Sequence, residues 1–229
     1  MADFVSKALA KSTTIIGLIL GTEPKKSAMS WSLYDSRGRR KYLVPEERWA
    51  FLRIARRVGG EVGTFCAVLA YCGPRISEAL ALTPERIDDG DCTINFETLK
   101  RRKRGVIRTI PVPRKLLEEL ERVHRYRSAQ RNKKLAHQRL WTWSRTTAWR
   151  RVKEVALRAG IPTYLCTPKA LRHAFGVFAE LSKVGLTLIK KWMGHAKLET
   201  TEIYTTVIGE EERFLARLTW KRSPPGYRR

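Results

Sequence analysis

The sequence predicts an α+β domain that is mostly α-helical, with its helices packed around a small antiparallel β-sheet. Three observations predict it. From residue 45 onward, apolar residues recur at helical spacing in segments closed by Gly, Pro or polar breaks. One pair of segments, 92–99 and 106–112, is rich in β-branched and apolar residues and flanks a turn. Finally, 43% of the 229 residues are hydrophobic, with seven each of Trp, Tyr and Phe, which supplies a single core.

Residues 1–40 differ from the rest: a short apolar stretch, 13–21, precedes turn-forming clusters at 23–27 and 35–38. They are expected to form an N-terminal arm or linker, and 41–229 the packed domain. The first helix starts at Pro45, whose fixed φ suits a first helical position and whose neighbours Glu46 and Glu47 favour the positive end of the helix dipole; it should stop at Gly59-Gly60. A second helix covers 61–71 and stops at Gly73. A third restarts at Pro74 with Ile76, Ala79, Leu80 and Leu82 on one side, which puts Arg75 at a helix N-terminus. The two strands then enclose Lys100-Arg101-Arg102-Lys103-Arg104-Gly105, a hairpin with a basic tip. Helices follow at 114–127, 144–159, 168–183, 187–192, 199–206 and 210–218, and a tail begins at about residue 209, with Phe214, Leu215, Leu218 and Trp220 on one stripe. That stripe packs on its own domain or on a neighbouring copy. Trp141, Trp143 and Trp149 are expected as core or interface anchors.

Lys and Arg number 46 against 22 acidic residues, a formal charge of +24 that concentrates polyanions and makes nucleic acid the expected partner. The basic residues are spread along the whole chain instead of one face of an amphipathic helix, which argues against a membrane surface. Segment 13–21 falls far short of the ~20 apolar residues that span a bilayer, and a cytoplasmic location is expected. Cys66, Cys72, Cys92 and Cys166 form no C-x-x-C pair and have mostly apolar neighbours, so reduced thiols are expected and no metal is implied.

Four segments suggest a chemistry. They are CGPRISEAL (72–80), TPKALRHAF (167–175), WMGH (192–195) and LETTEIY (198–204). Together, and in this order, they resemble the tyrosine recombinase (phage integrase) family, whose catalytic domain carries a G-x-R-x-S-E-x-L box, an [HK]-x-L-R-H-x-F box and an L-G-H-x-x-x-x-T-T-x-x-Y ending. The resemblance runs from about residue 42 to 208, and it is the combination that is specific. It implies a site-specific recombinase or integrase that cleaves and rejoins duplex DNA through a 3′-phosphotyrosine intermediate on Tyr204.

Physical chemistry accounts for these residue types. Phosphoryl transfer builds negative charge on the non-bridging oxygens, which must meet fixed donors. Arginine stays charged and donates a planar fork of hydrogen bonds, so Arg75 and Arg172 can clamp two oxygens, and no metal, ATP or other cofactor is expected. The resemblance gives His195 a hydrogen bond to the same phosphate and Lys169 the nucleophile's proton; Lys169 stands where many members carry His. It also gives the leaving 5′ oxygen a proton from a hairpin lysine, for which Lys100 fits best and Lys103, further into the turn, is the alternative. Glu78 is expected to orient Arg75, and His173 to make a supporting contact. Arg101, Arg102, Lys103, Arg104, Arg145, Arg150 and Arg151 are expected to touch DNA backbone phosphates.

Family members place a helical core-binding domain before the catalytic one, whereas here residues 1–40 precede it, so half a clamp, or an accessory DNA-binding protein supplying the rest, is expected. By the resemblance, four copies assemble on two DNA sites. The alternatives are a DNA-binding protein that keeps the fold without productive recombination, and a type IB topoisomerase-like activity.

Overall fold

The computed structural model describes residues 32–98, 105–195 and 199–206. The chain divides into two units, Met1–Ser32 and Leu33–Arg229, and all the described helices and strands lie in the second.

Helix α1 (Pro45–Val58) begins as its sequence dictates. The Glu47 carboxylate accepts from the Val44 N–H at 3.1 Å and pairs with Arg40 at 2.5 Å, while Phe51 and Ala55 point into the core. Gly59, at φ 64°, ends it. Helix α2 (Gly60–Cys72) is apolar almost all round and is buried along most of its length, the centre of the domain. It crosses α1 closely: a Cβ on Gly63 would lie 2.6 Å from the Ala55 carbonyl oxygen. Gly73 closes α2 in the left-handed conformation, φ 58°, and α3 (Ile76–Leu80) restarts with Arg75 as its N-cap residue.

Among the described residues the sheet has three antiparallel strands, β1 (Ile87–Asp88), β2 (Thr93–Glu97) and β3 (Ile107–Pro111). The hairpin was legible; β1 was not, because two residues are too short for a period-two signal. Ile94 and Phe96 on β2 face Ile110 and Arg108 on β3, and all four are buried. Helix α4 (Arg114–His124) is shorter than the sequence implies. Arg125 turns left-handed at φ 51°, and the chain re-enters as α5 (Tyr126–Gln130), which buries Tyr126 and lets its hydroxyl donate to Asp89 at 2.5 Å. A short α6 (Lys133–Ala136) follows.

Helix α7 (Arg145–Arg158) is capped by Ser144 and α8 (Pro168–Leu181) by Thr167, each hydroxyl accepting a backbone N–H at 3.1 Å. Helix α9 (Leu186–Met193) ends at Gly194, φ 63°; α10 (Glu199–Glu202) and a 3₁₀ turn (Ile203–Thr206) complete the described chain. The expected helix at 210–218 and the tail lie outside the described residues.

The larger core gathers Phe51, Phe65, Leu69, Ile94, Leu117 and Trp141 around α2. A smaller cluster holds Leu33, Tyr42, Phe175, Ile189, Met193 and Tyr204. Leu33 is 1% exposed, so packing begins upstream of the start expected near Tyr42. Of the tryptophans, Trp141 is buried and donates to the Glu61 carbonyl at 3.0 Å and Trp143 packs edge-on against Phe65, but Trp149 is exposed on α7. The four cysteines are free thiols, and burial pushes Cys72 up to about 12.

Candidate active site

The candidate residues come from four separate elements, and two glycines bring these together. A Cβ on Gly73 would sit 2.6 Å from the Phe175 ring, so only glycine lets α8 approach the end of α2. Arg172, one turn before Gly176 on α8, then reaches two helix C-termini. It donates Nη1 to the Gly73 carbonyl at 2.7 Å and Nη2 to the Met193 carbonyl. Those carbonyls end α2 and α9 and lack helical partners, so a cation suits both. The rest of the guanidinium fork remains for an anion.

Arg75 stands on the other side. Glu78 accepts from the Arg75 backbone N–H at 2.8 Å and from its Nη1 at 2.7 Å, as the sequence implied. The Glu78 side chain is fully buried, that of Arg75 is 29% exposed, so the carboxylate anchors a guanidinium that still reaches solvent. Burial alone would raise the Glu78 carboxyl, but the hydrogen bond and charge of Arg108, with help from Arg75, hold it below the usual range. Arg172 feels the opposite: burial, then the charges of Arg75 and Arg108, draw it down to about 9. Three guanidinium groups face one carboxylate, and the arrangement favours an incoming anion.

His195 follows the Gly194 turn and is 8% exposed, with Nδ1 hydrogen-bonded to the Thr201 hydroxyl at 3.0 Å. Burial, then Arg172 and Arg75, push it down to about 3, so it is a neutral imidazole at neutral pH. Tyr204 is 1% exposed and stacks beside His195, ring centroids 6.4 Å apart. It lies over Gly176, where a Cβ would come 2.4 Å from Cζ. Its hydroxyl is 3.4 Å from Nδ1 of His173, which burial and the charges of Lys169, Arg172 and Lys41 lower to about 4. Burial raises the phenol above its ordinary value, and Arg172 opposes this.

The structure therefore groups Arg75, Glu78, Arg172, His173, His195 and Tyr204. It places His173, instead of Lys169, at the phenol. Lys169 lies one turn before His173 on the exposed side of α8, lining a cavity of about 180 Å³ with Arg39, Arg40, Lys41 and Tyr164. Lys100, Arg101, Arg102, Lys103 and Arg104 lie outside the described residues. The strand leading to them ends at the site, since Thr98 lies within 3.3 Å of where a Gly194 Cβ would be. Arg145, Arg150 and Arg151 are exposed on α7; Arg145 lines a cavity of about 520 Å³ with Arg139, Ser144 and Ser77, of which Ser77 is two residues from Arg75 in sequence.

Sequence reasoning missed Arg108, Thr201 and Gly176. Period-two alternation along β3 could have found the first, since it puts Arg108 on the same face as Ile110. Among the described residues no group of three or more His, Cys, Asp or Glu is placed to hold a metal ion, and no described helix is long and apolar enough to cross a membrane.

This fold is that of the tyrosine recombinase catalytic domains. The chain superposes on the XerH site-specific recombinase bound to palindromic difH substrate with a TM-score of 0.67 over 88% of this chain and 59% of that one, at 20% identity. On the catalytic domain of bacteriophage HP1 integrase the TM-score is 0.55, covering 82% of this chain and 98% of that one, at 21% identity. In sequence it is 34% identical to tyrosine recombinase XerA of Pyrococcus furiosus over 145 residues, 59% of this chain and 46% of that protein. The pattern of the phage integrase family matches residues 53–211, and the chain belongs to that family. It spans about half the length of the curated relatives it matches.

Proposed function

We propose that this chain cleaves and rejoins duplex DNA at a specific site through a 3′-phosphotyrosine link to Tyr204, using neither metal nor ATP. The observation that carries the reading is the convergence of Arg75, Arg172 and a neutral His195 on one electropositive site, with Tyr204 packed beside it. The Arg75 and Arg172 forks bind the non-bridging oxygens of one phosphodiester, and His195 donates from Nε2 when the Thr201 hydroxyl donates to its Nδ1. The Tyr204 oxygen attacks phosphorus, the bond to the 5′ oxygen breaks, and the phenolic proton leaves to a neutral acceptor. His173 already stands at that hydroxyl as the acceptor, and Lys169, one turn away on α8, is the further candidate to assist the transfer. The 5′ oxygen takes its proton from Lys100, or from Lys103. Reversal by a new 5′ hydroxyl rejoins the strand, since the phosphotyrosine conserves the bond.

The fold neighbour solved with difH substrate supports duplex DNA as partner. So does the formal charge of +24. Exposed Arg145 on α7 lines the cavity that adjoins the Arg75 box, where it meets a flanking phosphate, and Arg150 is exposed on the same helix. Four copies on two DNA sites is the assembly that goes with this reading.

The burial of Tyr204 favours one second reading, a DNA-binding protein without turnover, because the phenol must move before it can meet a phosphate. One experiment separates the two. The chain is incubated with a pool of nicked duplexes of randomised sequence, and covalent adducts are resolved on a denaturing gel. Adducts that vanish in Tyr204→Phe, which still binds DNA, support cleavage; DNA binding with no adduct from any sequence overturns it.

A further inference from the structure

Arg108 takes an inward position on β3, opposite Phe96, where the alternation of the strand calls for an apolar side chain. Its side chain is 3% exposed. Nη2 donates to Glu78 Oε2 at 2.5 Å and Nη1 to the Thr98 hydroxyl at 3.3 Å, while Nε is buried with no hydrogen-bond partner. A buried guanidinium with an unmet donor is costly, and an apolar residue of similar volume would serve the sheet as well or better. Packing alone therefore does not account for it.

Its contacts do. Glu78 Oε2 receives both Arg108 Nη2 and the Arg75 backbone N–H, and Oε1 receives Arg75 Nη1. The carboxylate is thus held from two sides, and each of its oxygens has a set direction. On its far side Arg108 fills the space beneath the turn that carries His195: a Cβ on Gly194 would lie 3.0 Å from Arg108 Nη1. One guanidinium, itself sealed from solvent, touches the support of Arg75 and the support of His195.

We propose that Arg108 is a positioning residue for phosphodiester cleavage, holding Glu78 so that Arg75 is aimed at the phosphate and holding the Gly194 turn so that His195 is aimed at the same atom. It never meets DNA. The inference rests on the reading of the site given above. Misplacing a phosphate-binding group by about 1 Å is enough to lower a rate roughly 100-fold. An Arg75 whose carboxylate anchor has lost one of its two partners is displaced on that scale.

The test uses the full chain with Arg108→Met, Arg108→Lys, and Arg108→Met combined with Glu78→Gln. Single-turnover adduct formation at saturating nicked DNA is measured beside the Kd for that DNA and the denaturation midpoint. The expected result is a cleavage rate about 100-fold lower in Arg108→Met with Kd changed less than about threefold, and partial recovery in Arg108→Lys, whose ammonium keeps one hydrogen bond to Glu78. The double variant should recover stability, because no buried charge is left half-paired, without recovering rate. A wild-type rate in Arg108→Met, or rate and midpoint recovering together in the double variant, overturns the proposal. A wild-type chain that forms no adduct overturns the reading of the site instead. In that case the crystal structure of Arg108→Met decides the role of Arg108: an Arg75 guanidinium that leaves Glu78 supports it, and an unmoved one refutes it.

Discussion

Lowering the pH from 7 to 5 should cost this protein a large part of its stability through histidines that the fold keeps neutral. Burial above all lowers His124 to about 4, His173 to about 4 and His195 to about 3. Unfolding returns each to about 6.5. Between these values the unfolded state binds more protons, so stability is fully present above pH 6.5 and drains away as the pH falls. For a site with those two constants, the loss from pH 7 to pH 5 is about 2 kcal/mol. His173 and His195 are 5% and 8% exposed and carry the full effect; His124 is only half-buried and its share is discounted. The sum, roughly 4 kcal/mol, compares with ~5–15 kcal/mol for a typical domain. The carboxylates held low, such as Glu78, act in a more acid window, because their unfolded value is near 4 and their stability is lost only below it. The assay is urea denaturation at pH 7, 6 and 5, with the m-value checked for constancy. His173→Asn and His195→Asn should each remove about half of the pH slope. A midpoint that is flat from pH 7 to 5, or a slope unchanged in both variants, would refute the assignment of neutral buried imidazoles.

Three further outcomes are expected. Gly73→Ala forces a Cβ into the Phe175 ring at φ 58°; left-handed backbone costs about 1–2 kcal/mol and overpacking about 1–3 kcal/mol, measurable as a lower denaturation midpoint. Arg172→Lys cannot span the Gly73 and Met193 carbonyls while gripping a phosphate, so adduct formation should fall roughly 100-fold with a much smaller change in DNA affinity. Arg150→Gln should weaken DNA binding at all sequences and lower the slope of log affinity against log salt by about one unit, and an unchanged slope would remove α7 from the DNA face.

The sequence disclosed those parts of the domain that local physics decides. Gly59, Gly73 and Gly194 end helices because each adopts positive φ, and Arg75 caps the start of one whose Glu78 accepts the Arg75 backbone N–H. The described residues of the four motif segments meet in space, whereas the hairpin lysines lie outside the described residues. What was hidden is what non-local packing decides. Arg125 turns left-handed at a site with no glycine because the turn buries Tyr126 and joins it to Asp89. Tyr204 is buried in a cluster that also takes in Leu33 and residues of α8, and Gly176 makes the space beneath its ring. Arg108 reads as one more cation in a basic stretch until strand register turns it inward.

The most direct measurement is to digest the covalent DNA adduct with trypsin and identify the linked peptide by mass spectrometry. A 3′-phosphate esterified to the hydroxyl of Tyr204 is the expected product. A DNA linkage on any other side chain, the exposed Tyr164 included, would contradict it.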